Sequence, residues 1–186
     1  MSTYEELPEG LAVPQDDGAT DHLGGVRLPG ISLADTAGDL RDLPFVSGLL
    51  VIYVYPMTGR PGVTLPRGWD AIPGARGCTP EACGFRDHLE ELRGAGVHDL
   101  VGISSQSVDE QREARDRLSL PFQLLSDADF AWADALELPS FTADGRRFHT
   151  RLTLVAQDGV IEHVFYPVFP PDAHASAVLG WLQSRG

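Results

Sequence analysis

The sequence predicts an α/β domain with a central mixed sheet flanked by helices on both faces. Short apolar runs rich in β-branched and aromatic residues alternate with segments of helical spacing. The chain closes on two such runs separated by Gln157-Asp158-Gly159, a hairpin signal. Its 186 residues suit one domain carrying an extra arm. Strands joined through helices run parallel, and the closing hairpin adds antiparallel ones.

Residues 1–25 are rich in Pro, Gly and Asp and show no sustained period. They read as an N-terminal arm ahead of a folded domain over residues 26–186. Apolar residues become more frequent from Val26 to Leu33, and Asp35 to Asp42 reads as a turn. Gly48 to Tyr55 is the clearest buried strand, ended by Pro56. Met57 to Gly77 holds several Gly and Pro residues and reads as one long loop, and loops of that length inside a domain are usually functional. A helix from about Thr79 to Arg93 places Phe85, Leu89 and Leu92 on one face, and Gly94 and Gly96 end it. Leu100 to Ser104 is the next buried strand. Ser107 and Asp109 open a charged helix to about Leu118, Leu120 to Leu125 is a short strand, and Asp127 to Leu136 is a surface helix. Arg151 to Ala156 and Val160 to Phe165 form the hairpin, and a last helix runs from about Pro171 to Gln183.

Composition narrows the function. A hydrophobic share of 42% is ordinary for a globular protein. The formal net charge of -13 disfavours nucleic acid and anionic membranes as partners, since both are met by basic patches. No run of 18 apolar residues is present, and the acidic start Met1-Ser2-Thr3-Tyr4-Glu5-Glu6 is unlike a signal peptide, so a cytoplasmic protein is expected. A structural disulfide is unusual in that compartment. Gly102-Ile103-Ser104-Ser105-Gln106 lacks the second glycine of a hydrolase nucleophile elbow, and its serines read as caps for the next helix. The six histidines show no metal or triad pattern and read mostly as surface residues.

The two cysteines, Cys78 and Cys83, lie five residues apart in Gly77-Cys78-Thr79-Pro80-Glu81-Ala82-Cys83-Gly84-Phe85-Arg86-Asp87. Thiols this close are a redox couple, half a metal site, or ordinary buried residues. A zinc site would need four ligands at short spacing, and beyond His88 no further close ligand presents itself, so no metal or cofactor is expected. The flanking residues favour redox chemistry. Thr79 suits a helix cap, Pro80 the first turn and Glu81 the positive end of the helix dipole. Cys78 then stands at a helix start, where unpaired N–H groups favour a thiolate, and Arg76 and Arg151 are the candidate cations that lower its pKa further. Five helical residues rise about 7.5 Å and turn about 500°, which points the sulfurs apart, so the helix must unwind before the two bond.

Several blocks together resemble the peroxiredoxins of the thioredoxin superfamily, in particular the peroxiredoxin Q or bacterioferritin-comigratory branch. They are Tyr53-Val54-Tyr55-Pro56, the cysteine block, Gly102-Ile103-Ser104, Leu120 to Asp127, and Arg151-Leu152-Thr153-Leu154-Val155. The likeness covers about residues 26–186 and is shared with bacterial redoxins carrying Pro56-Met57-Thr58-Gly59-Arg60-Pro61-Gly62. It implies a thioredoxin-like fold and a thiol-dependent peroxidase. It further implies Cys78 as peroxidatic cysteine, Cys83 as resolving cysteine in a Cys78–Cys83 disulfide, Arg151 holding thiolate and peroxide, and Glu81 bracing the arginine. Pro56, Thr58, Arg76 and Thr79 are the candidate substrate-binding residues. A thioredoxin-like dithiol protein is the implied reductant, and a monomer or homodimer is expected.

The sequence departs from the family where Pro-x-x-x-Thr/Ser-x-x-Cys places a hydroxyl. Read back from Cys78, that position is Ala75, and Pro56 lies about fifteen residues too early, so an insertion separates the two halves of the motif. Thr58 or Thr64 would have to fold back to supply the hydroxyl. The departure leaves two other functions open: a thiol–disulfide oxidoreductase acting on a small-molecule or protein thiol, and a non-catalytic redox sensor.

Overall fold

The computed structural model describes residues 4–186; the first three residues of the expected arm lie outside that range. In chain order the elements are β1 (Leu33–Asp35), β2 (Leu40–Arg41), β3 (Leu49–Val54), α1 (Cys78–Asp87), α2 (Leu89–Gly94), β4 (Val97–Ser104), α3 (Val108–Arg117), β5 (Gln123–Ser126), α4 (Ala131–Ala135), β6 (Ser140–Ala143), β7 (Arg146–His149), β8 (Leu152–Gln157), β9 (Val160–Phe165) and α5 (His174–Ser184). Seven strands form one sheet in the order β2-β1-β5-β4-β3-β8-β9. β3, β4 and β5 are parallel, while β1, β8 and β9 pair antiparallel to their neighbours, so the sheet is mixed as expected.

β3 lies at the centre, and all six of its residues are buried. Leu49, Val51 and Tyr53 face one core with Phe85 of α1, Leu92 of α2 and Val178 of α5. Leu50, Ile52 and Val54 face a second core with Trp132 of α4 and with Leu23 and Leu28 of the chain's early segment. Alternate residues of a strand point to opposite faces, so one apolar run organises both layers.

The structure corrects several expectations. The stretch from Asp35 to Asp42 is not merely a turn, because it holds β2, which pairs with β1 and adds an edge to the sheet. The single helix from Thr79 to Arg93 is two helices broken at His88. The segment from Asp127 to Leu136 is no surface helix: only Ala131–Ala135 is helical, and Trp132 is fully buried. Of the histidines, His149 and His174 are buried: His149 Nε2 lies 3.2 Å from Asp127 Oδ2, and His174 Nε2 pairs with Thr153 Oγ1 at 2.8 Å. Ser107 caps α3 through a reciprocal capping box with Glu110, whereas Ser104 accepts from Gln111 inside the core.

The arm is not loose. Gly25 and Leu28 donate backbone hydrogen bonds to Ile161 and Gly159, extending the sheet edge beyond β9. Further upstream, Tyr166 donates to Asp17, and the Tyr4 hydroxyl donates to the Val63 carbonyl at 2.9 Å.

The long insertion has a core of its own. Trp69 is 3% exposed and packs edge-on against Phe148 at 4.8 Å between centroids, with Phe141 beside both. Those phenylalanines belong to β6 and β7, a separate hairpin turned by Asp144-Gly145, both with positive φ. The inserted loop is therefore a packed lid anchored on a hairpin. Trp69→Ala should remove that anchor, with a loss of about 3 kcal/mol or more. Urea unfolding should give a lower midpoint, and limited proteolysis should cut first within residues 57–77.

Candidate active site

β3 ends at Val54, and the chain continues through Tyr55 and the buried Pro56 into the inserted loop. The loop returns at Gly74-Ala75-Arg76-Gly77 to start α1. Gly77 is the residue before the helix and has φ 102°, a left-handed conformation that glycine adopts without strain. A Cβ there would also lie 2.2 Å from Pro171 Cγ, so the helix start seats directly on the segment leading into α5. Cys78 is the first residue of α1. Thr79, expected as its cap, is instead its second residue, and its buried Oγ1 has no hydrogen-bond partner.

Arg151 stands immediately before β8 and is 2% exposed. Its Nη2 lies 3.1 Å from Cys78 Sγ and also donates to the Arg76 carbonyl at 3.0 Å. Nε donates to the Gly74 carbonyl at 3.2 Å, and Nη1 pairs with Glu81 Oε2. One guanidinium thus joins the end of the inserted loop, the first turn of α1, and the thiol. Arg76 does not share that task. Its side chain faces Asp70 at 3.4 Å and lies over the Tyr4 ring at 5.6 Å, while its carbonyl serves Arg151.

The electrostatics differ from the expectation of a depressed thiol pKa. Burial pushes the Cys78 thiol up, and Glu81 adds to that; Arg151 and the Met57 backbone N–H pull it down without cancelling the burial. Burial also pushes Glu81 up to about 7 against the pull of Arg151. Burial opposes the charge on Arg151 too, yet Cys78 and Glu81 keep it firmly protonated. His174, edge-on to Phe85, is held neutral by burial and by the charge of Arg151, with a pKa pulled down to about 3. Cys83 is half-buried, and burial raises its thiol pKa against the pull of Arg86.

Cys78 opens on a cavity of about 20 Å³, room for roughly one water-sized molecule. Met57, Leu65, Trp69, Ala75, Thr79 and Tyr4 are among its walls. Thr58 and Thr64 line a neighbouring larger cavity instead, and Ala75 presents a methyl group. Among the described residues lining the small cavity, Thr79 alone brings an unpaired buried hydroxyl. Tyr4 is the wall residue that sequence reasoning missed; it sits 59 residues before its partner Val63, in a segment with no periodic signal. Both cysteines are free thiols, at the first and sixth positions of an intact helix. Among the described residues no group of three metal-ligating side chains forms, and no helix is long and apolar enough to cross a membrane.

A thiol at a helix start, held by a buried arginine behind the central strand of a mixed sheet, defines a redox-active α/β protein. Comparison with known proteins agrees. Residues 71–164 match the AhpC/TSA family. Peroxiredoxin Bcp of Escherichia coli K12 is 34% identical over 169 residues, covering 87% of this chain and 96% of that one. Chloroplastic peroxiredoxin Q of Oryza sativa subsp. japonica is 29% identical, covering 86% of this chain and 66% of that one. Among solved structures, peroxidoxin BcpB of Mycobacterium tuberculosis superposes with a TM-score of 0.67 at 27% identity, covering 87% of this chain and 96% of that one. The bacterioferritin comigratory protein of Xanthomonas campestris, described for its alkyl peroxide reduction activity, shares the fold at a TM-score of 0.64 and 23% identity, covering 94% and 98%. The chain belongs to the AhpC/TSA family, among peroxiredoxins of the Bcp and Q type. Its fold is thioredoxin-like, and it is a thiol peroxidase, an oxidoreductase.

With its pKa raised, Cys78 is mostly a thiol at neutral pH and gains thiolate as pH rises past the ordinary thiol range. Its rate of alkylation by iodoacetamide should climb through and beyond about pH 8.5. Arg151→Met removes the cation that opposes burial, so the profile should move to higher pH. At pH 7 the rate should fall about tenfold for each unit of that shift. Arg151→Lys keeps the charge but not the fork, and should shift the profile less.

Proposed function

We propose that Cys78 is the peroxidatic cysteine and Cys83 the resolving cysteine. One observation carries this reading: the Cys78 sulfur, at the first residue of α1, lies 3.1 Å from the buried Arg151 Nη2, with Glu81 behind it. The Cys78 thiolate attacks the terminal peroxide oxygen and the O–O bond breaks. The sulfur is oxidised by two electrons to a sulfenic acid, the peroxide is reduced, and the departing oxygen takes a proton to leave as water or an alcohol. Charge developing on that oxygen is met by Arg151, and Thr79 offers the hydroxyl that Ala75 lacks. Pro56 sets the turn that brings the Met57 N–H toward the sulfur.

The Cys83 thiolate then attacks the sulfenic sulfur, expelling water and forming the disulfide. In the reduced form the two cysteines sit on different faces of α1, so its first turn and a half must open. A thioredoxin-like dithiol protein restores both thiols by exchange. Because both cysteines lie in one chain, the cycle runs in a monomer and equally in a homodimer. We place it in the cytoplasm, where dithiol reductants hold such a pair reduced.

Reduced protein treated with one equivalent of hydrogen peroxide should lose two thiols and gain a Cys78–Cys83 disulfide by peptide mass spectrometry. Cys78→Ser should consume no peroxide, and Cys83→Ser should stop at the sulfenic acid. Amide exchange over residues 77–86 should be fast in the oxidised form and slow in the reduced one. Oxidation by disulfides but not by peroxide would instead identify a thiol–disulfide oxidoreductase.

A further inference from the structure

The start of the chain crosses the part of α1 that has to open. Residues 4–7 lie over it as a strap. The Tyr4 hydroxyl donates to the Val63 carbonyl at 2.9 Å, its ring lies against Gly59, and Arg76 Cζ stands 5.6 Å from the ring centroid. Leu7 is half-buried and sits on Gly77. A Cβ on that glycine would lie 2.9 Å from Leu7 Cδ2 and 2.2 Å from Pro171 Cγ, so the helix start is closed in by Leu7 and Pro171 together.

The Gly77 carbonyl accepts the first hydrogen bond of α1, from the Glu81 N–H at 3.0 Å. That bond holds the turn that keeps the two sulfurs apart, and a disulfide needs Cα atoms within about 4.4–6.8 Å of each other. The strap also reaches the second cysteine. Burial raises the Cys83 thiol pKa, and the charges of Asp87 and of Glu5 on the strap add to it. Further along, Pro14 packs beside Gly74, and Asp17 accepts from the Tyr166 hydroxyl at 2.8 Å. The arm is thus pinned beyond the strap, and residues 4–7 can lift without the rest of it.

We propose that residues 4–7 are a latch, closed over Gly77 in the reduced protein and released when the Cys78–Cys83 disulfide forms, which sets how fast the sulfenic acid is resolved. The proposal rests on the peroxidase reading above and adds its regulation. Two reactions compete for the Cys78 sulfenic acid. In resolution the Cys83 sulfur attacks it, the S–O bond breaks, the S–S bond forms and water leaves. In overoxidation the sulfenate attacks a second hydrogen peroxide, the O–O bond breaks, the sulfur loses two more electrons to become a sulfinic acid, and water leaves. Only the first needs α1 to open. A closed latch slows resolution alone and so raises the share of enzyme lost to excess peroxide.

The test uses the reduced full chain, quenched at intervals by alkylation and read by mass spectrometry. Among the described residues Leu7 is not a wall of the Cys78 cavity, so Leu7→Ala should leave the first oxidation by hydrogen peroxide unchanged. The disulfide should then form about fivefold faster, the factor that one half-buried leucine contact supplies, and the yield of sulfinic acid in excess peroxide should fall by a similar factor. A chain starting at Pro8 should resolve at least as fast as Leu7→Ala. Equilibrated against dithiothreitol, Leu7→Ala should favour the disulfide about fivefold more than the native chain, because the contact stabilises the reduced form alone. Native or slower resolution in both variants, or faster resolution with no shift in the dithiothreitol equilibrium, would overturn the latch. Failure of hydrogen peroxide to oxidise Cys78 in the native chain would sink the peroxidase reading instead, and the dithiothreitol equilibrium, which uses no peroxide, would still decide the latch.

Discussion

Arg151 is the interaction on which the site depends. Its guanidinium is almost wholly removed from water, where an unpaired charge is costly. It is compensated by one carboxylate, by carbonyls at the end of the inserted loop, and by the Cys78 sulfur. Those partners come from segments more than 65 residues earlier in the chain, as the 70-residue separation from Glu81 shows. The arginine thus fixes where the insertion ends, how α1 begins and where the thiol lies. A loop of this length would otherwise be free to choose its exit, and the sulfur would move with it.

The same burial sets the character of the thiol. Dehydration stabilises the neutral form, and the guanidinium with one backbone N–H works against it. A thiol in that balance is protected from indiscriminate reaction, because nucleophilicity depends on the thiolate fraction. In the proposed role of Cys78, charge that develops on a departing peroxide oxygen would meet a donor already in place, with little reorganisation at the moment of reaction. The reduced form therefore favours a reactant small enough to enter or shaped to fit.

Much of this was legible in the sequence, but only where local chemistry decides the outcome. The β3 run is apolar and β-branched enough to declare itself, and Ser107 with Asp109 marks the start of α3. The Asp158-Gly159 turn is readable because long apolar strands flank it, whereas the same dipeptide at Asp144-Gly145 has no such flanks. Its strands are four residues each and carry arginines outward, so they show no alternation. β1 and β2, three and two residues long, are too short for any period. Cys78, Glu81 and Arg151 were found as residue types, but their burial was not, because burial follows from long-range closure. Thr79 looked like a cap by composition; the left-handed Gly77 took the place before the helix and left the threonine hydroxyl inward and unpartnered.

The position of Tyr4 has a practical side. Its ring lies against Gly59 and under Arg76, and it forms part of the wall beside the sulfur. A residue close to the start of the chain is thereby a neighbour of the sulfur. A purification tag fused at that end would sit at the doorway of the thiol, and kinetics measured on such a protein would report the tag together with the enzyme. Placing the tag after α5, where Ser184 to Gly186 are exposed, leaves the doorway as the chain builds it.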